Sequence, residues 1–246
     1  MSNPKRIAIL GSLTLIAAVI IMFPARSAYN WFAPPDIQLS GISGSVWNGA
    51  ATEGLAAGVY FRDLSWQLKP LSLLTGKLAF ATRFDPASGF MDADVAVAPG
   101  GAVILSNVAG TLPLDLLHNA VRQLRGISGN VTLKLDELII ENSSPVSVTG
   151  TIGITNLTAA ALSRSPIGNF EAVLSSDADG INGAVKDVSG VLAVAGTLKI
   201  SKQSEYSLIG TVATRPDTPD SILQQLRMLG SPNAQGNREF RIEGQL

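Results

Sequence analysis

Most of this chain alternates between apolar and polar residues with a period of two, and this limits the folds open to it. In the clearest segment the apolar residues are Leu64, Trp66 and Leu68, with polar residues between them. Such alternation is typical of a β-strand with one face in a core and the other in water. Pro70 should end this strand, because proline has no N–H to donate to a sheet. Similar alternation recurs at residues 77–81, 92–97, 131–136, 146–148, 198–200 and 240–243.

Turn signals containing glycine separate these segments. They include Gly100-Gly101, Ser128-Gly129, Asp179-Gly180, Asn182-Gly183 and Ser189-Gly190. Strands at a spacing of about ten residues indicate an antiparallel, mainly β architecture. We therefore expect an extended, curved antiparallel sheet. The pattern leaves open whether it forms one groove-like layer or a sandwich.

Two segments break the β pattern and have apolar residues at helical spacing, Pro113–Arg125 and Pro219–Leu229. For the second, Thr218 is a suitable N-cap, Pro219 fits the first helical position and Gly230 can close the end. A Gly-Thr pair precedes each segment and each contains Gln-Leu-Arg. We interpret this as a strand–helix–strand unit used twice. Two explanations fit this similarity: an internal duplication into two halves, or a coincidence among common residue types.

The N-terminus contains an uncharged apolar run that begins at Ile7 and ends at Phe23. At a rise of ~1.5 Å per residue it would span roughly 26 Å as a helix, close to the ~30 Å hydrocarbon core of a bilayer. Lys5 and Arg6 precede the run, so the N-terminus should stay in the cytoplasm. The expected organisation is a cytoplasmic tail (1–6), a transmembrane anchor (7–23), a linker (24–36) and a periplasmic β-rich domain (37–246).

A cleaved signal peptide is the alternative to a single-pass anchor in the bacterial inner membrane. Ala25-Arg26-Ser27 offers small residues for cleavage, although arginine between them is unfavourable and the apolar run is long for a signal. Both interpretations export the rest of the chain. Trp31 and Phe32 could then lie at the outer membrane interface, where aromatic rings are favoured.

The sequence offers little chemistry. It has no cysteine and one histidine, His118, which we expect to face solvent on the first helix. The run around Asp177 and Asp179 lacks the glutamate of a calcium loop and is interpreted as a solvated turn. A net charge of −1 gives no electrostatic case for nucleic acid. We predict no catalytic, cofactor or metal site, and a function in binding or scaffolding.

Three groups of residues carry a resemblance to the type II secretion system protein N family. The first is the N-terminal anchor after a very short tail. The second is Gly44, Val46, Trp47, Gly49 and Ala50, followed by Leu64, Trp66, Leu68, Pro70, Leu73, Leu74, Gly76 and Leu78. The third is Tyr206, Leu208, Gly210, Leu223, Leu226, Leu229, Gly230, Gly236, Phe240, Gly244 and Leu246.

The resemblance implies a non-enzymatic accessory component of the type II secretion apparatus that contacts other inner-membrane or periplasmic components during exoprotein export. No catalytic residue is transferred. Candidate structural or partner-contact residues are Trp47, Trp66, Arg125 and Arg227. Such domains are also similar in fold to the anchored AsmA-like β-groove proteins of envelope lipid traffic. The alternative function is therefore a lipid-binding trough, which predicts a continuous apolar inner face.

Overall fold

The computed structural model describes residues 4–33, 35, 37–56, 58–86, 88–118, 124–142 and 144–245. Of residues 4–8 and 17 it describes the backbone alone. Part of the predicted tail, part of the predicted linker and residues 119–123 of the first predicted helix lie outside the described residues.

The described strands form one open antiparallel sheet of 14 strands. They are β1 (Ile37–Ser40), β2 (Ser43–Gly44), β3 (Asn48–Ala56), β4 (Val59–Leu68), β5 (Leu78–Pro86), β6 (Phe90–Val97), β7 (Val103–Pro113), β8 (Ile127–Glu141), β9 (Ser144–Ala159), β10 (Gly168–Ser176), β11 (Gly180–Gly190), β12 (Leu192–Ser201), β13 (Glu205–Thr214) and β14 (Arg238–Gln245). From β3 to β14 each strand pairs with the next along the chain, while β1 and the short β2 both pair with β3. The mainly β prediction is confirmed, and the strands form a single sheet.

The described residues include three α-helices beside the sheet: α1 (Pro4–Ile21), α2 (Ala25–Phe32) and α3 (Asp220–Arg227). Helix α2 was not predicted, because its eight residues fall in the stretch interpreted as a linker. Among the described residues, no helix meets the combined length and hydropathy expected of a membrane span.

The two predicted helical segments differ in outcome. At the first, β7 continues to Pro113 and a 3₁₀ turn, Leu114–Leu117, follows it, while residues 119–123 lie outside the described part of the chain. At the second, α3 forms as predicted, but its N-cap is Pro219 and not Thr218. The Thr218 hydroxyl instead donates to the carbonyl oxygen of Val191 at 2.6 Å, which ties the start of α3 to the sheet.

The sheet is strongly curved. The strand path from β1 to β8 crosses six pairings, or about 29 Å in a flat sheet at ~4.8 Å per pairing. Ile37 of β1 and Val131 of β8 nevertheless line one cavity. Register shifts interrupt the ladder beside Asp63, Asn107 and Asp136, and such bulges bend and twist a strand. Asp63 and Asn107 have φ values of 53° and 51°, a left-handed conformation that asparagine and aspartate tolerate better than most residues.

Two clusters of buried apolar residues lie on one face of the sheet. One joins β6 to β11 through Met91, Val108, Leu112, Leu135, Val148, Leu174 and Ile181. The other places α3 against β12 and β13 through Ile167, Leu192, Val212, Ile222 and Leu226. The inner face of the curved sheet is therefore the apolar one.

Because every neighbouring pair is antiparallel, the connections alternate between two ends of the sheet. The 3₁₀ turn after β7 and α3 after β13 lie at the same end, which we call the α3 end. The connections β4–β5, β6–β7 and β12–β13 lie at the opposite end, as does the turn that leads into β3. This turn contacts the end of α1, so we call that end the α1 end.

Candidate functional site

An apolar trough occupies the inner face of the sheet between β1 and β8. Its cavity volume is about 640 Å³. Fourteen of the fifteen lining residues are apolar: Ile37, Ala56, Val59, Phe61, Leu64, Phe84, Pro86, Met91, Val95, Leu105, Leu112, Leu117, Val131 and Leu133. Thr82 is the polar one, and its hydroxyl already donates to the carbonyl oxygen of Ala93 at 2.8 Å. The trough can therefore accept an apolar chain but offers little to a polar ligand.

Glycines let two aromatic rings of β4 lie against the neighbouring strand β3, one of them, Phe61, within the trough. Gly54 pairs directly with Phe61, and Gly49 pairs with Trp66. A β-carbon on either glycine would overlap the ring opposite it. Phe61 in turn packs on Phe84 with ring centroids 5.2 Å apart, which is a favourable distance for tilted aromatic pairs.

The two candidate tryptophans hold the turn that meets α1. The indole N–H of Trp66 donates to the carbonyl oxygen of Val46 at 3.1 Å, and that of Trp47 donates to the carbonyl oxygen of Ile20 at 2.7 Å. The backbone N–H of Val46 donates to the carbonyl oxygen of Phe23 at 3.0 Å. These bonds connect the last turn of α1 to the sheet. Whether either tryptophan also contacts a partner stays a prediction.

The other two candidate residues lie at the α3 end. Arg227 is the last residue of α3, and Arg125 lies just before β8. Both are exposed. Their role in partner contact stays a prediction.

The two edges of the sheet differ. At β1, the hydroxyl of Tyr29 in α2 donates to the carbonyl oxygen of Ile37 and accepts from the N–H of Leu39, both at 3.0 Å. This covers backbone groups that would otherwise be free to pair with another strand. At the other edge, β14 pairs with β13 and is the last described strand of the sheet. Its Ile242 is 51 % exposed.

The titratable groups make structural contacts. His118 is half-buried, contrary to the expectation that it faces solvent, and one ring nitrogen lies 2.8 Å from the carbonyl oxygen of Ile127. Asp177 accepts hydrogen bonds from the N–H groups of Asp179 and Gly180, which lower the pKa of its carboxyl. No group of three potential metal-binding side chains occurs among the residues that the structure describes.

A polar network that sequence analysis missed holds α3 in place. Arg215 pairs with Asp187 of β11 and also donates to the carbonyl oxygen of Gly190 at 2.9 Å. Burial acts to raise the pKa of the Asp187 carboxyl, but hydrogen bonds from the Val194 N–H and from Arg215 outweigh it, so this pKa is lowered. No motif marks these residues, because they are 28 positions apart in the chain.

Comparison with known proteins gives concordant matches. The sequence profile of the family described as "Type II secretion system (T2SS), protein N" matches residues 35–241. A protein of Aeromonas hydrophila named "Type II secretion system protein N" is 26 % identical over 252 residues, covering all of both chains. A protein of the same name from Vibrio cholerae serotype O1 is 24 % identical over 254 residues, covering 97 % of each. No solved structure matches.

Proposed function

The chain belongs to the type II secretion system protein N family, and we propose that it is a single-pass, non-enzymatic accessory component acting through protein contacts of a periplasmic β domain. The observation that carries this proposal is the family match over residues 35–241. Membership of this family supports a component of the type II secretion apparatus.

The exposed surface of α1 supports its placement in the inner membrane. Leu10, Leu15 and Ile21 are 64 %, 67 % and 65 % exposed, so α1 does not bury them against the sheet. An isolated helix with apolar side chains all around it gains most from a lipid environment. Lys5 and Arg6, at its start, favour a cytoplasmic position for that end.

The difference between the two sheet edges supports β14 as the surface for protein contact. A strand of another secretion component can add to an open edge through main-chain hydrogen bonds. Tyr29 already occupies the edge of β1. The charged residues of β14, among them Glu239 and Arg241, would discourage indiscriminate pairing and favour a partner with complementary charges.

Two experiments in the native host test this proposal. Deleting the gene should reduce exoprotein secretion, and the wild-type gene should restore it. A photo-crosslinking residue at Ile242 should give adducts with other secretion-apparatus proteins, whereas one at Gln38, exposed in the covered edge strand β1, should give few. Normal secretion without the gene, under conditions that demand the apparatus, would count against the proposal.

The trough favours a second function, the binding of one acyl chain. Its volume of about 640 Å³ lies within the roughly 300–1,000 Å³ typical of ligand sites. Gently purified protein should carry phospholipid detectable by mass spectrometry. Ala56→Phe places a ring in the trough and should lower the amount bound, while Ser88→Phe, at an exposed position, should not. No lipid above background in the wild type would exclude this function.

A further inference from the structure

An exposed apolar turn projects from the α1 end of the sheet. It is the 3₁₀ turn Pro70–Thr75 between β4 and β5, and none of its residues is buried. Leu71, Leu73 and Leu74 are 78 %, 52 % and 84 % exposed. Single exposed leucines are ordinary on a protein surface, but three within one turn form an apolar patch.

Hydrogen bonds fix the backbone of this turn with its leucines outward. The Ser72 hydroxyl donates to the carbonyl oxygen of Lys69 at 2.6 Å and accepts from the N–H of Ala79 at 3.2 Å. Thr75 donates through its hydroxyl to the carbonyl oxygen of Ser72 at 2.8 Å. Gly76 closes the turn with φ 72°. The leucines are therefore held in the solvent-facing position by the structure of the turn.

The turn lies next to the end of α1. The N–H of Leu68, two residues before the turn begins, donates to the carbonyl oxygen of Trp47 at 2.6 Å. The indole of the same Trp47 donates to the carbonyl oxygen of Ile20 in the last turn of α1. One residue thus bridges the helix and the strand that leads into the apolar turn.

The charge around the turn also suits a lipid surface. The connections at residues 41–47, 69–77 and 98–102 lie at the α1 end and contain no acidic residue. The turn is flanked by Lys77 and by Lys69, whose ammonium group pairs with Asp94 of β6 at 2.5 Å. Farther across the same end, the connection at 177–179 carries Asp177 and Asp179. Among the described connections at this end, acidic residues occur only in this one, which lies away from α1.

We propose that the turn Pro70–Thr75 inserts Leu71, Leu73 and Leu74 into the periplasmic leaflet of the membrane in which α1 is anchored. This inference rests on the proposed placement of α1. The turn gives the sheet a second membrane contact beside the helix. The sheet would then stand on the membrane in a fixed orientation, because two contacts restrict tilting where a helix alone would not.

Spin labelling of the full chain tests this directly, since the sequence has no cysteine and each variant carries a single label. Leu74→Cys reports the turn, Leu15→Cys reports α1, and Gln203→Cys, exposed in the β12–β13 connection, is the control at the same end. Each variant is reconstituted into vesicles of phosphatidylethanolamine and phosphatidylglycerol. Collision with oxygen and with a water-soluble nickel complex then gives the depth of each label.

Lipid insertion predicts a depth of about 5–10 Å below the headgroups at position 74, with water exposure at position 203. A label at 15 in lipid and a label at 74 in water would overturn the inference and leave the anchor standing. A label at 15 in water would overturn the anchor and this inference with it. A photo-crosslinker at position 74 in cells should give lipid adducts, and adducts to one protein instead would also overturn the inference.

Discussion

The indole N–H of Trp47 donates a 2.7 Å hydrogen bond to the carbonyl oxygen of Ile20, 27 residues earlier in the chain. The last four carbonyl groups of an α-helix have no partner within the helix, and Ile20 lies in this last turn of α1, where its carbonyl oxygen also accepts from the N–H of Phe23 at 3.3 Å. Trp47 therefore stabilises the end of α1 and attaches it to the sheet with a single side chain. The N–H of Val46 adds a backbone bond to Phe23 beside it.

Trp47→Phe should loosen this attachment, because phenylalanine retains the ring but has no N–H. A hydrogen bond of this kind contributes about 0.5–1.5 kcal/mol, which corresponds to roughly 2- to 12-fold faster local opening. Hydrogen exchange of the Val46 amide in the detergent-solubilised chain measures this change. Trp31→Phe removes the same group from a side chain that is 68 % exposed and should leave the exchange unchanged. Equal exchange in both variants would contradict the role given to Trp47.

Gly54→Ala should destabilise the sheet, because the new methyl group overlaps the Phe61 ring and contacts Leu39 on the other side. Overpacking of this kind costs about 1–3 kcal/mol, or roughly 2–4 °C in Tm for each kcal/mol in a chain of this size. Thermal unfolding followed by circular dichroism measures the shift. Gly100→Ala is the matched control, since a β-carbon there meets no atom within 4 Å. Phe61→Leu in the Gly54→Ala background should restore part of the loss, and the absence of any rescue would refute the overlap as the cause.

Asp187 should make stability depend on pH in the acid range. The pKa of the Asp187 carboxyl is lowered in the folded chain. Its contribution to the free energy of unfolding is therefore complete above the unfolded pKa of about 3.9 and is lost as pH falls through the folded pKa. Asp187→Asn should lower the free energy of unfolding at pH 7 by roughly 1.5–3 kcal/mol. Denaturant unfolding at a series of pH values gives the free energy of unfolding of the wild type and of Asp187→Asn. The difference between them should shrink below about pH 4, and a constant difference would show that the charge of Asp187 is not involved.

Much of the fold follows from local pattern. The alternation at Leu64, Trp66 and Leu68 predicts β4, and Pro70 ends it as expected. The family resemblance carried by Trp47 and Trp66 is likewise confirmed by the match over residues 35–241. These features depend on neighbours two to four positions apart, which a single sequence displays directly.

The trough, the ion pair that holds α3 and helix α2 depend on contacts between residues far apart in the sequence. They were not predicted in detail. The trough exists because bulges beside Asp63 and Asn107 curve the sheet, and a bulge changes which residues face inward without changing composition. The pairing of Asp187 with Arg215 depends on the order of strands. Helix α2 was missed because it has only eight residues, and the hydrogen bonds of its Tyr29 to β1 form no pattern in the sequence.

Tyr29 provides the last prediction, because its hydroxyl covers the free edge of β1. Tyr29→Phe removes both hydrogen bonds to Ile37 and Leu39 while keeping the ring. The Leu39 amide should then exchange faster, by roughly 2- to 12-fold for the loss of about 0.5–1.5 kcal/mol. An uncovered edge also favours pairing with a second copy, so sedimentation should show more dimer as concentration rises. Tyr206→Phe, the same change in β13 and far from β1 in the strand order, should do neither. Unchanged exchange at Leu39 would mean that the edge is protected by the packing of α2 and not by the hydroxyl.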